Sequence, residues 1–172
     1  MTLDELDTLL DFHYWARDRV LDAAAKLTPE QFEREQGGSF MSLRETLVHI
    51  YWADWAWYQM WHGAFPAEAL ATDEFTDVES IRRAWSELES KARAFVKAQS
   101  GADAHRVLEY RRLDGSVGAF PFAHMVQHLV NHGSYHRGQL TMLLRQLGVE
   151  PPEAMDLIRY YATAVTTGGA SS

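Results

Sequence analysis

Four histidines spaced at intervals of four residues lie within one long stretch of sequence that has the periodicity of a helix. The stretch covers 122–147, follows Pro121 and ends before Gly148, a residue typical of a helix C-terminus. Its apolar residues recur at intervals of three and four, as on one face of an amphipathic helix. The row consists of His124, His128, His132 and His136. The chain must therefore bury one side of a helix of about seven turns, and part of the histidine row with it.

Three more amphipathic stretches precede this helix, and capping patterns mark helix starts among them. Thr28-Pro29-Glu30-Gln31 combines an N-cap threonine with proline at the first helical position. Ser42 with Glu45 and Thr76 with Glu79 have the spacing of capping boxes. Long helices are predicted over 3–27, 42–62, 76–99 and 122–147. Four such helices in 172 residues predict an all-α fold, a four-helix bundle.

Two smaller elements complete the predicted fold. Val107–Leu113 and Ser116–Phe120 flank Asp114-Gly115, a pair typical of tight turns, and so predict a short β-hairpin before the last long helix. A short C-terminal helix is expected over 152–165. We expect residues 1–165 to form a single domain and 166–172 to be a disordered tail.

Charge and composition exclude several classes of protein. The formal net charge of −8 leaves no basic surface of the kind that nucleic-acid binding requires, so no nucleic-acid partner is expected. The acidic start, Met1-Thr2-Leu3-Asp4-Glu5, does not resemble a signal peptide, and no stretch is apolar enough to be a membrane span. We expect a cytoplasmic protein. The chain has no cysteine, which excludes disulfides, thiolate metal ligands and a thiol nucleophile of its own.

A helical wheel separates the histidines of the row. His136 lies within the apolar arc, His132 lies at its edge, and His124 is expected to face solvent. Two inward imidazoles one turn apart are either core histidines with hydrogen-bond partners or a pair of ligands to one metal ion. A catalytic site of the zinc type usually has a third protein ligand. Periodicity alone leaves both His13 and His49 open for that place.

The segment His128-Leu-Val-Asn-His-Gly-Ser-Tyr-His-Arg-Gly-Gln139 resembles the signature of the DinB/YfiT-like family, Asn-His-x-x-x-His-Arg-Gly-Gln on the last long helix. Leu43-Arg-Glu-Thr-Leu-Val-His49 is similar to the family's second helix, where a lone histidine follows an amphipathic start. The opening of the chain, Tyr14-Trp15-Ala16 through Leu27-Thr-Pro-Glu, is similar to the family's first helix and the turn after it. The resemblance extends over about residues 1–160, and the His-Arg-Gly-Gln part is its most specific element.

The resemblance implies a four-helix bundle, commonly a homodimer, with one divalent metal ion per chain held by His49, His132 and His136. Zinc or nickel is expected first, and iron, manganese and cobalt remain open. A related branch of the family uses the metal to bind a low-molecular-weight thiol. The expected activity is therefore that of a metal-dependent, thiol-dependent S-transferase or a hydrolase acting on a small-molecule substrate. The alternative is a non-catalytic metal- or ligand-binding bundle.

Several other residues carry hypotheses. His128 and Gln139 lie near the inward pair and are expected to support the ligands or to orient a substrate. Tyr135 and Arg137 are expected to serve in packing or to lie at the surface. A buried Asp54 needs a partner, for which Arg17 is the candidate. The remaining residues of interest are His62 and His105, expected to be exposed, and the aromatic stretch 51–62, which either packs the core or lines a pocket or an interface.

Overall fold

A computed structural model of the chain describes residues 1–37, 40–66 and 72–168. Its main helices are α1 (Leu3–Ala24), the short α2 (Pro29–Glu33), α3 (Leu43–Trp61), α4 (Val78–Lys97) and α5 (Phe122–Gln146). Helices α1 and α3 each pack against both α4 and α5. The order around the bundle is therefore α1, α5, α3, α4, and the predicted four-helix bundle is confirmed.

Most helix starts follow the predicted capping patterns. Thr28 and Gln31 form the predicted box at α2. The Ser42 hydroxyl accepts a hydrogen bond from the Glu45 amide at the start of α3. At α4 the prediction is off by one residue, because Asp77, not Thr76, is the N-cap and forms a box with Ser80. Aspartate is among the most favourable N-cap residues, ahead of threonine.

The predicted hairpin is present. Strands β1 (Val107–Arg111) and β2 (Val117–Pro121) pair antiparallel, and Gly115 supplies the positive φ of the turn, +82°. Short 3₁₀ segments lie at Thr72–Glu74 and Gly101–His105. Because β2 leads directly into α5, the hairpin fixes where that helix begins.

The C-terminal helix α6 (Leu157–Gly168) packs on α1, and it begins five residues later than the predicted 152. The helix therefore includes 166–168 of the segment expected to be a tail, and residues 169–172 lie outside the described residues. Within the described residues, no helix combines the length and apolarity needed to cross a membrane.

The four long helices enclose an apolar core that includes polar side chains. Its largest fully buried members include Trp85, Phe122, Leu10, Ile50 and Leu140. Charged and imidazole groups at its inner surfaces are also almost fully buried: His13, Arg17, Asp54, His136 and Arg137. Buried polar groups are costly unless they are paired, so each of these requires a partner or a function.

Candidate metal centre

Two helices bring three of the eight histidines together. His49 lies on α3, two turns after the Ser42 cap, and His132 and His136 lie one turn apart on α5, which packs against α3. Each offers one imidazole nitrogen, and these three atoms all lie within 4.8 Å of one another. His13, the other candidate for the third position, lies on α1 and does not join them.

The spacing of the nitrogens suits a shared cation. The Nε2 atoms of His49 and His132 are 3.2 Å apart. Two nitrogens bound at about 2.05 Å to one tetrahedral ion are about 3.3 Å apart, so these two imidazoles are already at ligand separation. The ring centroid of His136 lies 4.4 Å from that of His132 and 4.6 Å from that of His49.

The third imidazole is held in a tautomer that suits a ligand. The Nδ1–H of His136 donates to the side-chain oxygen of Gln139, with 2.7 Å between the two heavy atoms. A neutral ring protonated at Nδ1 has a lone pair on Nε2. The hydrogen bond therefore fixes both the orientation of the ring and its free acceptor. Gln139 thus contacts one of the three clustered histidines, and its role in supporting a metal ligand stays a prediction.

The surroundings also favour neutral imidazoles. Burial and the neighbouring His136 and His49 lower the pKa of His132 from 6.5 to about 4. Burial, and then His136, lowers the pKa of His49. Metal ligation requires the unprotonated ring, so these two are ready to bind a cation at neutral pH. The Nδ1 of His132 is buried and has no hydrogen-bond partner among the described residues.

An aromatic side chain that the sequence analysis did not single out packs on this cluster. Phe40, just before α3, stacks on His49 with ring centroids 4.2 Å apart, and its ring also lies 5.7 Å from that of His136. Nothing in the periodicity marks Phe40, because it lies in a link between helices. Its ring shields one face of His49 from solvent.

The other histidines lie outside the cluster. His128 is exposed, its ring packs 4.8 Å from that of Trp57, and it lies 6.0 Å from His132, at the rim of the cluster. His62, His105 and His124 are exposed, as predicted. In the aromatic stretch of α3, Tyr51 and Trp61 are core residues, as the packing interpretation expected. The other aromatic side chains of the stretch are half-buried.

The predicted Arg17–Asp54 pair is wrong. Asp54 Oδ2 accepts from His13 Nε2 at 2.7 Å and from the indole Nε1 of Trp85 at 2.8 Å. Arg17 instead pairs with Glu89 of α4 at 2.6 Å. The error arose because both residues lie on inward stripes, but Arg17 faces α4 while His13, one turn earlier, faces α3.

Arg137 belongs to the same buried network. Its Nη1 donates to His13 Nδ1 at 3.3 Å and its Nη2 to the Ser134 hydroxyl at 2.8 Å. Because an arginine can only donate, His13 is the neutral tautomer with its proton on Nε2, where it donates to Asp54. Burial lowers the pKa of His13 despite the neighbouring Asp54. Arg137 is therefore buried at the contact between α1 and α5, whereas Tyr135 is 66% exposed.

Comparison with known proteins identifies the family. The model of the DinB family matches residues 2–168, so the chain belongs to that family. The chain is 26% identical over 145 residues to Protein DinB of Bacillus subtilis, a match that covers 81% of this chain and 84% of the relative. A crystal structure of a DinB-like protein from Bacillus cereus superposes with a TM-score of 0.72 at 21% identity, covering 89% of this chain and 97% of the other. The structural match supports the fold.

Proposed function

We propose that this member of the DinB family binds one divalent metal ion through His49, His132 and His136 and uses it in a reaction of a small molecule. The observation that carries the proposal is the convergence of three imidazole nitrogens from α3 and α5 within 4.8 Å. The fixed tautomer of His136 and the lowered pKa values of His49 and His132 support it.

The three imidazole donors limit which metal ions the proposed site would bind. Three imidazoles suit zinc or nickel, and also iron or cobalt, whereas manganese prefers oxygen ligands. When bound, a divalent ion with three protein ligands has an open position at which it lowers the pKa of a water or a thiol. We therefore rank zinc and nickel first and manganese last.

The chain's own residues limit the reaction. A nucleophilic thiol would come from a low-molecular-weight cosubstrate, because the chain has no cysteine. Within the described residues, the cluster contains no carboxylate that could accept a proton from water. Gln139 holds His136, and Phe40 covers His49, so both residues would stabilise the ligands. Because the cluster offers no carboxylate to activate water, we favour the thiol-dependent S-transferase over the hydrolase.

Metal content provides the test. Untagged protein is reconstituted with Zn²⁺ or Ni²⁺, desalted and measured by plasma mass spectrometry. We expect about one ion per chain in the wild type and almost none in the double variant His132→Ala/His136→Ala. The matched control is His62→Ala/His124→Ala, which removes two exposed histidines and should retain the metal. Equal metal in all three proteins, or none in any, would contradict the proposal.

Activity and assembly are tested on the loaded protein. Thiols with electrophilic small molecules, and hydrolysable esters and amides without a thiol, separate the transferase from the hydrolase. Stoichiometric metal without turnover in either screen would favour the non-catalytic metal-binding alternative. We expect a homodimer in the cytoplasm, and light scattering on the same sample measures the oligomeric state.

A further inference from the structure

A cavity of about 790 Å³ lies between α1, α5 and the segment 152–157 that leads to α6. None of the three clustered histidines lines it. Its volume is within the range of small-molecule sites. Much of its wall is apolar and includes Leu9, Phe12, Val130, Met155 and Leu157.

A buried guanidinium lies in this wall. Arg137 is 4% exposed and lines the cavity beside Ser134. Of its five N–H groups, two are used, in the bonds to His13 and Ser134. Burial lowers its pKa to about 10, which still leaves the group charged at neutral pH. A desolvated cation with unused donors therefore borders a cavity whose wall is mostly apolar.

Arg137 differs from the other arginines that bridge the helices. Arg17, Arg82 and Arg93 each contact a carboxylate of another helix. Across the described parts of the chain, no carboxylate lies within 4 Å of the Arg137 guanidinium. Asp54 interacts with it only electrostatically, across the interposed ring of His13.

The acidic residues of the cavity do not neutralise Arg137. Glu153 and Asp156 also line the cavity, and both are exposed to solvent. Glu153 is paired with Arg159 at 3.9 Å. Glu153 and Asp156 add negative charge to the cavity wall, which favours a ligand with a single negative charge over a phosphate dianion.

We propose that this cavity binds a small amphipathic carboxylate, whose carboxyl group pairs with the unused N–H groups of Arg137 and whose apolar part lies along Leu9, Phe12 and Met155. Arginine is the side chain best shaped to bind a carboxylate through two parallel hydrogen bonds. The apolar wall supplies the remaining affinity by burial. The site is separate from the histidine cluster and does not depend on the proposed metal chemistry.

Calorimetry on metal-stripped full-length protein tests the proposal, with octanoate as the probe and octanamide as its neutral counterpart. We expect one octanoate per chain and binding of the amide at least tenfold weaker, because the amide lacks the charge that Arg137 pairs with. Arg137→Met should weaken octanoate binding at least tenfold. The absence of octanoate binding, or equal binding of the two probes, would overturn the proposal.

A second pair of variants leaves Arg137 in place. Gly138 lines the cavity, and a Cβ at this position would meet no atom within 4 Å. Gly138→Phe should therefore place a ring in the cavity and abolish octanoate binding, while Gly138→Ala should retain it. Octanoate binding that survives Gly138→Phe would overturn the assignment.

The double variant His132→Ala/His136→Ala distinguishes this site from the histidine cluster. It should bind octanoate as the wild type does, whatever its metal content. Loss of octanoate binding in that variant would place the anion in the histidine cluster and refute a separate site.

Discussion

The close contact between α1 and α5 at Gly133 can be tested with a single methyl group. A Cβ built on Gly133 would lie 2.5 Å from His13 Cε1 and 2.8 Å from Arg137 Nη1. Carbon atoms in contact are normally about 3.5–4.0 Å apart, so the methyl group would be about 1 Å too close to the ring. Gly133→Ala therefore requires α5 or His13 to move.

The expected change in the free energy of unfolding combines one gain and two costs of the added methyl group. Replacing a mid-helix glycine by alanine gains about 1 kcal/mol in helix propensity. Against this, overpacking a core costs about 1–3 kcal/mol. Displacing His13 would also weaken its 2.7 Å hydrogen bond to the buried Asp54, and an unsatisfied buried group costs about 1–3 kcal/mol. We expect Gly133→Ala to lower the free energy of unfolding by about 1–5 kcal/mol.

The same helix offers a matched control. Gly138 lies five residues further along α5, and a Cβ there would meet no atom within 4 Å. Gly138→Ala should therefore keep the gain in propensity and raise the free energy of unfolding by about 0.5–1 kcal/mol. The two variants add the same methyl group to one helix and should change stability in opposite directions.

Urea unfolding of the metal-free proteins, followed by far-UV circular dichroism, measures the difference. For a domain of this size each kcal/mol also corresponds to roughly 2–4 °C in the thermal midpoint. If Gly133→Ala is as stable as Gly138→Ala, the close packing of His13 against α5 is wrong.

Three further changes test the buried network and the candidate ligands. Asp54→Ala should destabilise the protein by about 3–5 kcal/mol, because His13 and Trp85 both lose their buried acceptor; urea unfolding measures this, and a loss below 1 kcal/mol would contradict it. Gln139→Ala should weaken Zn²⁺ binding by about 10–100-fold in a chelator competition, since one imidazole loses the acceptor that orients it, and unchanged affinity would refute that role. The metal-free protein should lose stability as the pH falls from 6.5 to about 4, because over that window the unfolded chain protonates His132 while the folded chain does not; His132→Ala should show a smaller fall.

The sequence predicts the helices well because helix periodicity and capping are local. The Thr28 and Ser42 caps and the Asp114-Gly115 turn depend on residues a few positions apart, and all three are present. Asp77 displaced Thr76 as the α4 cap because two adjacent residues competed for one position. Such errors shift a boundary and leave the fold unchanged.

The partners of buried polar residues could not be predicted in this way. Periodicity places His13, Arg17, His49 and Asp54 on inward stripes of α1 and α3, but it does not give the order of the helices around the bundle. That order decides that Arg17 meets Glu89 of α4 and that Asp54 meets His13. It also decides that His49, and not His13, joins the α5 pair, a choice that only the family resemblance supplied.

The segment of α5 from His132 to Arg137 contacts two neighbouring helices, because the side chains of consecutive residues point about 100° apart around the helix axis. His132 and His136 face the cluster with α3, while Gly133 and Arg137, each one residue later, contact His13 of α1. The packing of α1 against α5 therefore sets how far His132 lies from His49, now 3.2 Å between their Nε2 atoms. A shift of α5 by about 1 Å at Gly133 would be several times the tolerance of a metal–ligand distance, which is about 0.2 Å. The glycine therefore helps to set the geometry of the proposed centre without touching it.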